Sequence, residues 1–171
     1  EGGAIFCKDP ALFHQLYFSH NFGHDGPLAF HGLGINGKMS ELQAAMGLAV
    51  LPYMQAILAD RSSVVTWYDE NMKMNPFERI KIRIKTHWNT AYYPMVFESE
   101  NQLLEIEKSL HDIEVFPRRY FYPSLNTLDF VNGNSCLISE SLSSRILCLP
   151  LFMGLEFKVI DKIIFEINNL I

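Results

Sequence analysis

The sequence predicts an α/β chain that passes, near residues 76 and 77, from strand and helix segments into a small α+β domain. Three observations carry this reading. An apolar run at residues 3–7 leads straight into a helix start at Asp9-Pro10. Apolar residues then recur at three-to-four spacing between Leu42 and Met72. Beyond Pro76 the spacing falls to two, as Ile80, Ile82 and Ile84 alternate with Lys81, Arg83 and Lys85.

The run Gly3-Ala4-Ile5-Phe6-Cys7, bounded by Gly2-Gly3 and Asp9-Pro10, reads as a buried strand. Asp9 as N-cap and Pro10 at the first helical position start a helix to about Ser19, since proline there gives up only an N–H without an intrahelical partner. Gly23, Gly26, Pro27, Gly32, Gly34 and Gly37 follow, too much glycine for a regular element but enough for a loop that brings backbone close to a ligand or a neighbour. Ser40 and Gln43 form an S-x-x-Q capping box, so a helix begins there with Leu42, Ala45, Met46 and Ala49 on one side. Pro52 kinks that helix or opens a second one carrying Tyr53, Ile57, Val64, Trp67, Tyr68 and Met72, and Pro76 ends it.

In the tail, residues 80–84 read as a half-exposed strand and 92–97 as a second strand. Residues 101–110 are helical, 114–116 and 145–149 are short strands, and 157–171 form an amphipathic C-terminal helix. Trp67, Tyr68, Met72 and the row Ile80, Ile82, Ile84 are expected in a core or an interface. Neither an internal repeat nor a low-complexity segment is present.

Hydrophobic residues make up 49% of the 171 residues and charged residues 19%, which suits a globular chain and not a disordered one. The net charge of -5 and pI near 5.6 provide no broad attraction for phosphate backbones or anionic lipid, so neither nucleic acid nor a membrane is the expected partner. His, Lys, Asp or Glu is expected to interrupt each apolar run within about a dozen residues, short of the ~20 of a membrane span. Cys7, Cys136 and Cys148 are odd in number and lack C-x-x-C spacing, which signals no disulfide framework or zinc site and suits the cytoplasm. The opening Glu1-Gly2-Gly3, without Met or signal peptide, reads as a cut edge.

The stretch Gly34-Ile35-Asn36-Gly37-Lys38-Met39-Ser40-Glu41-Leu42-Gln43-Ala44-Ala45 resembles the G-x-N-x-[RK]-M-S-E-x-Q-A-A segment of DegT/StrS-type sugar aminotransferases. Glu1-Gly2-Gly3 is similar to the E-G-G that follows the catalytic lysine there, and Phe116-Pro117-Arg118-Arg119-Tyr120-Phe121-Tyr122-Pro123 to a small-domain segment in members acting on thymidine-diphosphate ketosugars. The resemblance covers essentially the whole chain. It implies the C-terminal portion of a fold-type I aminotransferase: residues 1–76 the end of the large cofactor domain with interface loop and helices, 77–171 the small α+β domain. It also implies pyridoxal 5'-phosphate as cofactor, L-glutamate as donor, a dTDP-linked keto-6-deoxyhexose as acceptor for polysaccharide of the O-antigen type, and a cytoplasmic homodimer with shared active sites. The lysine that holds the cofactor is then expected upstream of Glu1, because Lys8 and Lys38 both follow the E-G-G. The chain as given should therefore be inactive alone, with no catalytic residue of its own.

By the same resemblance Asn36 is a ligand to the cofactor phosphate in the neighbouring subunit; on the residues alone, a left-handed turn between Ile35 and Gly37 is the plainer account. Lys38 stands where many relatives carry Arg and would meet a phosphate as a point charge, or simply face solvent. His20, His24 and His31 match no zinc spacing and suit hydrogen bonding, with His31 a candidate for lining a sugar pocket. Arg118, Arg119, Tyr120 and Tyr122 offer guanidinium forks beside aromatic rings, the chemistry that grips a pyrophosphate and stacks on a sugar or base. Two adjacent arginines on an extended chain face opposite ways, so at most one of them meets the ligand. Arg61 is a further pyrophosphate candidate. Two other functions stay open: a sugar dehydratase in which histidine replaces the lysine, and a non-catalytic binding or dimerisation module of the same fold.

Overall fold

The computed structural model describes residues 2–73 and 78–171, so Glu1 of the E-G-G, Pro76 as a helix end and the expected boundary at residues 76 and 77 lie outside the described residues. The chain divides into two compact units, Glu1–Met54 and Gln55–Ile171.

In the first unit α1 spans Pro10–Ser19, and the Asp9 carboxylate accepts from the N–H groups of Ala11 and Leu12 as the sequence predicts. Its one buried residue is Phe18, which takes the rings of His14 and His31 at 4.7 Å each. The Gly-rich segment then folds back on the end of α1: Ile35 N–H donates to Ser19, Gly37 N–H to His20, and Phe22 N–H to Ile35. α2 spans Glu41–Val50 behind a complete capping box, in which Gln43 N–H donates to Ser40 Oγ and Ser40 N–H to Gln43 Oε1. The expected strand at residues 3–7 does not form. A strand exists only through a neighbour's N–H and C=O groups, and none of the described residues of this unit pairs with it, so Ile5 and Phe6 stand exposed.

Pro52 sits in a 3-10 turn, Leu51–Tyr53, after which α3 runs over Met54–Asn71. The expectation that every apolar run is short is corrected here: 42–59 contains no charged residue, and the helical stretch Glu41–Asn71 is long and apolar enough, by length and composition, to cross a membrane.

The second unit is built on one antiparallel sheet of order β1-β2-β3, with β1 at Glu78–Arg79, β2 at Tyr93–Val96 and β3 at Ile146–Leu149. Tyr93 pairs with Leu149 and Val96 with Ile146. Helices α4 (Glu100–Asp112), α5 (Leu137–Arg145) and α6 (Phe157–Leu170) complete the unit. The core follows helical spacing on three helices. α3 gives Val64, Val65 and Tyr68, with Met72 just past its end, α4 gives Leu103, Ile106 and Leu110, and α6 gives Ile160, Ile163, Ile164 and Ile167. Each fully buried isoleucine is worth about 1.5–3 kcal/mol, so α6 is held by its apolar stripe and not by a cap, of which it has none from a side chain.

Two expected strands do not form among the described residues. Past Arg79 the ladder stops, leaving Ile80, Ile82 and Ile84 exposed, and residues 114–116 join no ladder among the described residues; an isolated bridge lies slightly later, between Arg118 and Cys148. Alternation alone cannot supply the partner that a ladder needs. α5 is a helix that the periodicity did not reveal, since its apolar residues Leu137 and Ile138 are exposed.

Candidate functional site

A cavity of about 660 Å³ in the second unit gathers Arg61, Arg118 and Tyr120, three of the residues singled out from the sequence. The size suits a ligand site, for which about 300–1,000 Å³ is usual. Arg61 comes from α3, and the opposite wall is Cys148–Phe152, the end of β3 and the turn after it. That wall is fixed to α3 by two bonds: Tyr68 Oη donates to the Pro150 carbonyl at 3.1 Å, and Gly154 N–H to Asp60 Oδ2 at 2.9 Å. Arg118 exchanges both backbone hydrogen bonds with Cys148, at 3.0 and 2.8 Å, which anchors it beside the same wall. Its Nη1 donates to Tyr120 Oη at 2.5 Å, so the phenol fixes the guanidinium without neutralising it.

The extended pairing at Arg118 turns the next residue away, as the sequence argument requires of adjacent arginines. Arg119 Nη2 bonds Glu100 Oε1 at 2.6 Å and the Ser144 carbonyl at 2.9 Å, and its guanidinium lies 3.6 Å from the centre of the Tyr122 ring. Arg119 and Tyr122 thus stand outside the cavity, in a clamp that joins the start of α4 to the end of α5. Their chemistry was legible, but the sequence could not say that Glu100, nineteen residues away, takes the charge.

That pair makes a pH prediction. The Arg119 guanidinium holds the Glu100 carboxyl below the usual carboxylate range. A depressed folded-state value contributes stability that is present above the unfolded carboxylate's pKa of about 4.3 and is lost as pH falls through the lower folded value. Thermal midpoints between pH 7 and 3 should therefore fall less steeply in Arg119→Met than in the unaltered chain. Parallel curves would show that the pair is not coupled to folding.

Two cavity residues were missed. Tyr92 and Phe116 line it, both substantially exposed, and the Tyr92 ring meets Tyr120 edge-on at 5.2 Å. The signal for Tyr92 was present in the strand parity, since Tyr93 is buried and its neighbour must point the other way. Cys148 also lines the cavity, but burial pushes its thiol up to about 11, which keeps it protonated and poorly nucleophilic.

In the first unit Asn36 lies on the strand-like bridge to Asn21, between the backbone bonds of Ile35 and Gly37. It does not adopt the left-handed turn: positive φ falls on Phe22 instead, at 58°. The Asn36 side chain makes no hydrogen bond to another described residue and precedes the capped start of α2. Lys38 is committed nearby, with Nζ 2.9 Å from Asn21 Oδ1 and 4.3 Å from the Phe22 ring centre. His31 packs its ring against His14 and Phe18 at the surface.

Comparison with known proteins gives the fold a relationship. Residues 1–168 match the model of the DegT/DnrJ/EryC1/StrS aminotransferase family. A dTDP-4-amino-4,6-dideoxy-D-glucose transaminase of Shigella dysenteriae is 31% identical over 99% of this chain and 48% of its own length. A protein of the same name from Escherichia coli is 30% identical over 95% of the chain and 46% of its own length. Among solved structures, a DegT DnrJ EryC1 StrS aminotransferase from Brucella abortus superposes with a TM-score of 0.82 at 24% identity, covering 96% of this chain and 44% of that one. Helicobacter pylori PseC, an aminotransferase involved in the biosynthesis of pseudoaminic acid, gives 0.74 at 20% identity, with 95% and 46% covered. The chain spans about half the length of the curated relatives it matches. With its family model matched from the first residue almost to the last, the chain belongs to the DegT/DnrJ/EryC1/StrS aminotransferase family.

Proposed function

We propose that this chain serves the transfer of an amino group from L-glutamate, by way of pyridoxal 5'-phosphate, to a dTDP-linked 4-keto-6-deoxyhexose, within a cytoplasmic homodimer whose active sites are shared. The observation that carries the reading is the cavity itself: in a member of this family, Arg61 from α3 and the Arg118–Tyr120 segment converge on one ligand-sized space. The name of the relatives at 31% and 30% identity supports the sugar and the nucleotide.

The family consists of pyridoxal-phosphate enzymes, and the residues of this chain fit the phosphate end of that cofactor. Asn36 would hold a phosphate oxygen through its unshared side-chain amide, and the free N–H groups at the start of α2 add positive potential there. When bound, the cofactor supplies the electron sink that amino transfer needs, while the protein orients the reactants. Lys38 holds Asn21, the bridge partner of Asn36, and so fixes the loop that presents the amide. Arg118 would grip the diphosphate, with Tyr120 holding the guanidinium in place. The fully exposed Leu28 and Leu33 and the exposed Leu42 favour an interface on the first unit, in keeping with a dimer.

The test uses the complete polypeptide with dTDP-4-keto-6-deoxyglucose and L-glutamate. Equal yields of 2-oxoglutarate and an aminated sugar nucleotide are expected. Loss of water from the sugar without 2-oxoglutarate would identify a dehydratase, and no change in either substrate would leave a binding module.

A further inference from the structure

We propose that the sheet edge from β1 to Arg83 is a strand-addition site for an extended acidic segment of a partner protein, in which glutamate or aspartate alternates with aliphatic residues; the inference does not depend on the amino-transfer reading. The first argument is the backbone. β1 is an edge strand, paired with β2 alone among the described residues, and the chain runs on past Arg79 to a turn in which Thr86 N–H donates to the Arg83 carbonyl at 3.1 Å. Between them, the N–H and C=O groups of Lys81 and Ile82 and the Arg83 N–H bond to no other described residue. Such a row of open donors and acceptors is a template for one more strand.

The second argument is the alternation of side chains, which selects the occupant on both faces. Ile80 and Ile82 line a cleft of about 200 Å³ with Trp88, Tyr92 and Pro94. That is room for an aliphatic side chain, and it falls short of the ~300–1,000 Å³ usual for a small-molecule site. Successive residues of an extended segment face opposite ways, so Lys81 and Arg83 project from the other face, exposed and without an ion pair among the described residues. Residues 80–97 contain no aspartate or glutamate, although the chain as a whole carries a net charge of -5. A second copy of this edge would set Lys81 and Arg83 against like charges, which destabilises a strand pair, whereas carboxylates at alternate positions of an incoming strand match them. A membrane is a poorer occupant. It would need the cations and the isoleucines on one side, and lipid would leave the open backbone groups unsatisfied.

Calorimetric titration of the 171-residue chain at low salt tests this with a short peptide of alternating glutamate and valine. The peptide should bind and should protect the amides of residues 80–83 from exchange, while its lysine–valine counterpart should not bind. N-methylation of its backbone, which removes donors and keeps every side chain, should weaken it by about tenfold or more. The double variant Lys81→Glu, Arg83→Glu should weaken it by about tenfold and let the lysine–valine peptide bind instead. Both positions are exposed, so the unfolding midpoint should hold; if it falls, the double variant Lys81→Gln, Arg83→Gln takes its place. Ile82→Ala should weaken binding by about threefold to tenfold without changing its dependence on salt. Absence of binding by the glutamate–valine peptide, equal affinity of its N-methylated form, or affinity unmoved in the charge variant would each overturn the proposal. Binding of phosphatidylserine vesicles through residues 80–84 with the peptide left free would overturn it in favour of a membrane. Protection of residues 80–83 that rises with chain concentration in the absence of peptide would overturn it in favour of a second copy.

Discussion

Gly34→Ala is expected to unfold the loop that presents Asn36. A Cβ at this position would lie 2.2 Å from the backbone nitrogen of Gly23 and 2.6 Å from the Ser19 carbonyl oxygen, and neither is the movable end of a side chain. The backbone must separate there, which breaks the bonds from Ile35 to Ser19 and from Phe22 to Ile35. The cost exceeds by a wide margin the 0.5–1 kcal/mol by which alanine usually improves on glycine through propensity, and it reaches about 4 kcal/mol or more, the range of severe steric lesions. Gly47→Ala is the internal control. It sits inside α2 with nothing within 4 Å of the added Cβ, so it should stabilise that helix by about 1 kcal/mol. Amide exchange of residues 20–38 reads both: loss of protection in Gly34→Ala only is the expected pattern. Retained protection at Ile35 and Gly37 in that variant would show that the loop does not depend on the close approach.

The loop and its caps were legible because their signals are local. Asp9-Pro10 and the Ser40 to Gln43 box specify helix ends within a few residues, and both form as written. The glycine density predicts close backbone approach, which Gly23 and Gly34 supply. The misreadings have one cause. Residues 3–7 and 80–84 carry strand patterns, yet a strand is a relation between two segments, and a pattern in one segment does not create the other. α5 was hidden for the complementary reason, as its outward-facing Leu137 and Ile138 break the rule that apolar residues mark the core side.

The site shows the same division. That Arg118 and Arg119 face apart follows from extended geometry, but which of them meets the cavity depends on Glu100 and Cys148, both distant in sequence. Arg61 was legible only as a further candidate on the helix after Pro52, and only the fold brings it into one cavity with Cys148–Phe152. The uncharged run 42–59 was misjudged more simply, since Gln43 and Gln55 make it look polar without adding charge.

Arg118→Ala in the complete polypeptide is expected to weaken use of the sugar nucleotide by about tenfold to a hundredfold, the equivalent of losing one charge-assisted contact worth about 1.5–3 kcal/mol. The glutamate half-reaction should change little, because glutamate has no diphosphate for that guanidinium to hold. Arg119→Ala should behave differently. Its guanidinium is spent on Glu100, the Ser144 carbonyl and the Tyr122 ring, so its removal loosens the clamp between α4 and α5 and lowers the unfolding midpoint. Whatever activity is lost should be lost in both half-reactions together, in proportion to the folded fraction. The contrast between the two neighbours separates ligand binding from structural support more cleanly than either variant alone. Pre-steady-state measurement of the two half-reactions, beside a thermal melt of each variant, supplies the readings. A selective loss of sugar-nucleotide use in Arg119→Ala, with Arg118→Ala unaffected, would reverse the assignment of which guanidinium meets the diphosphate.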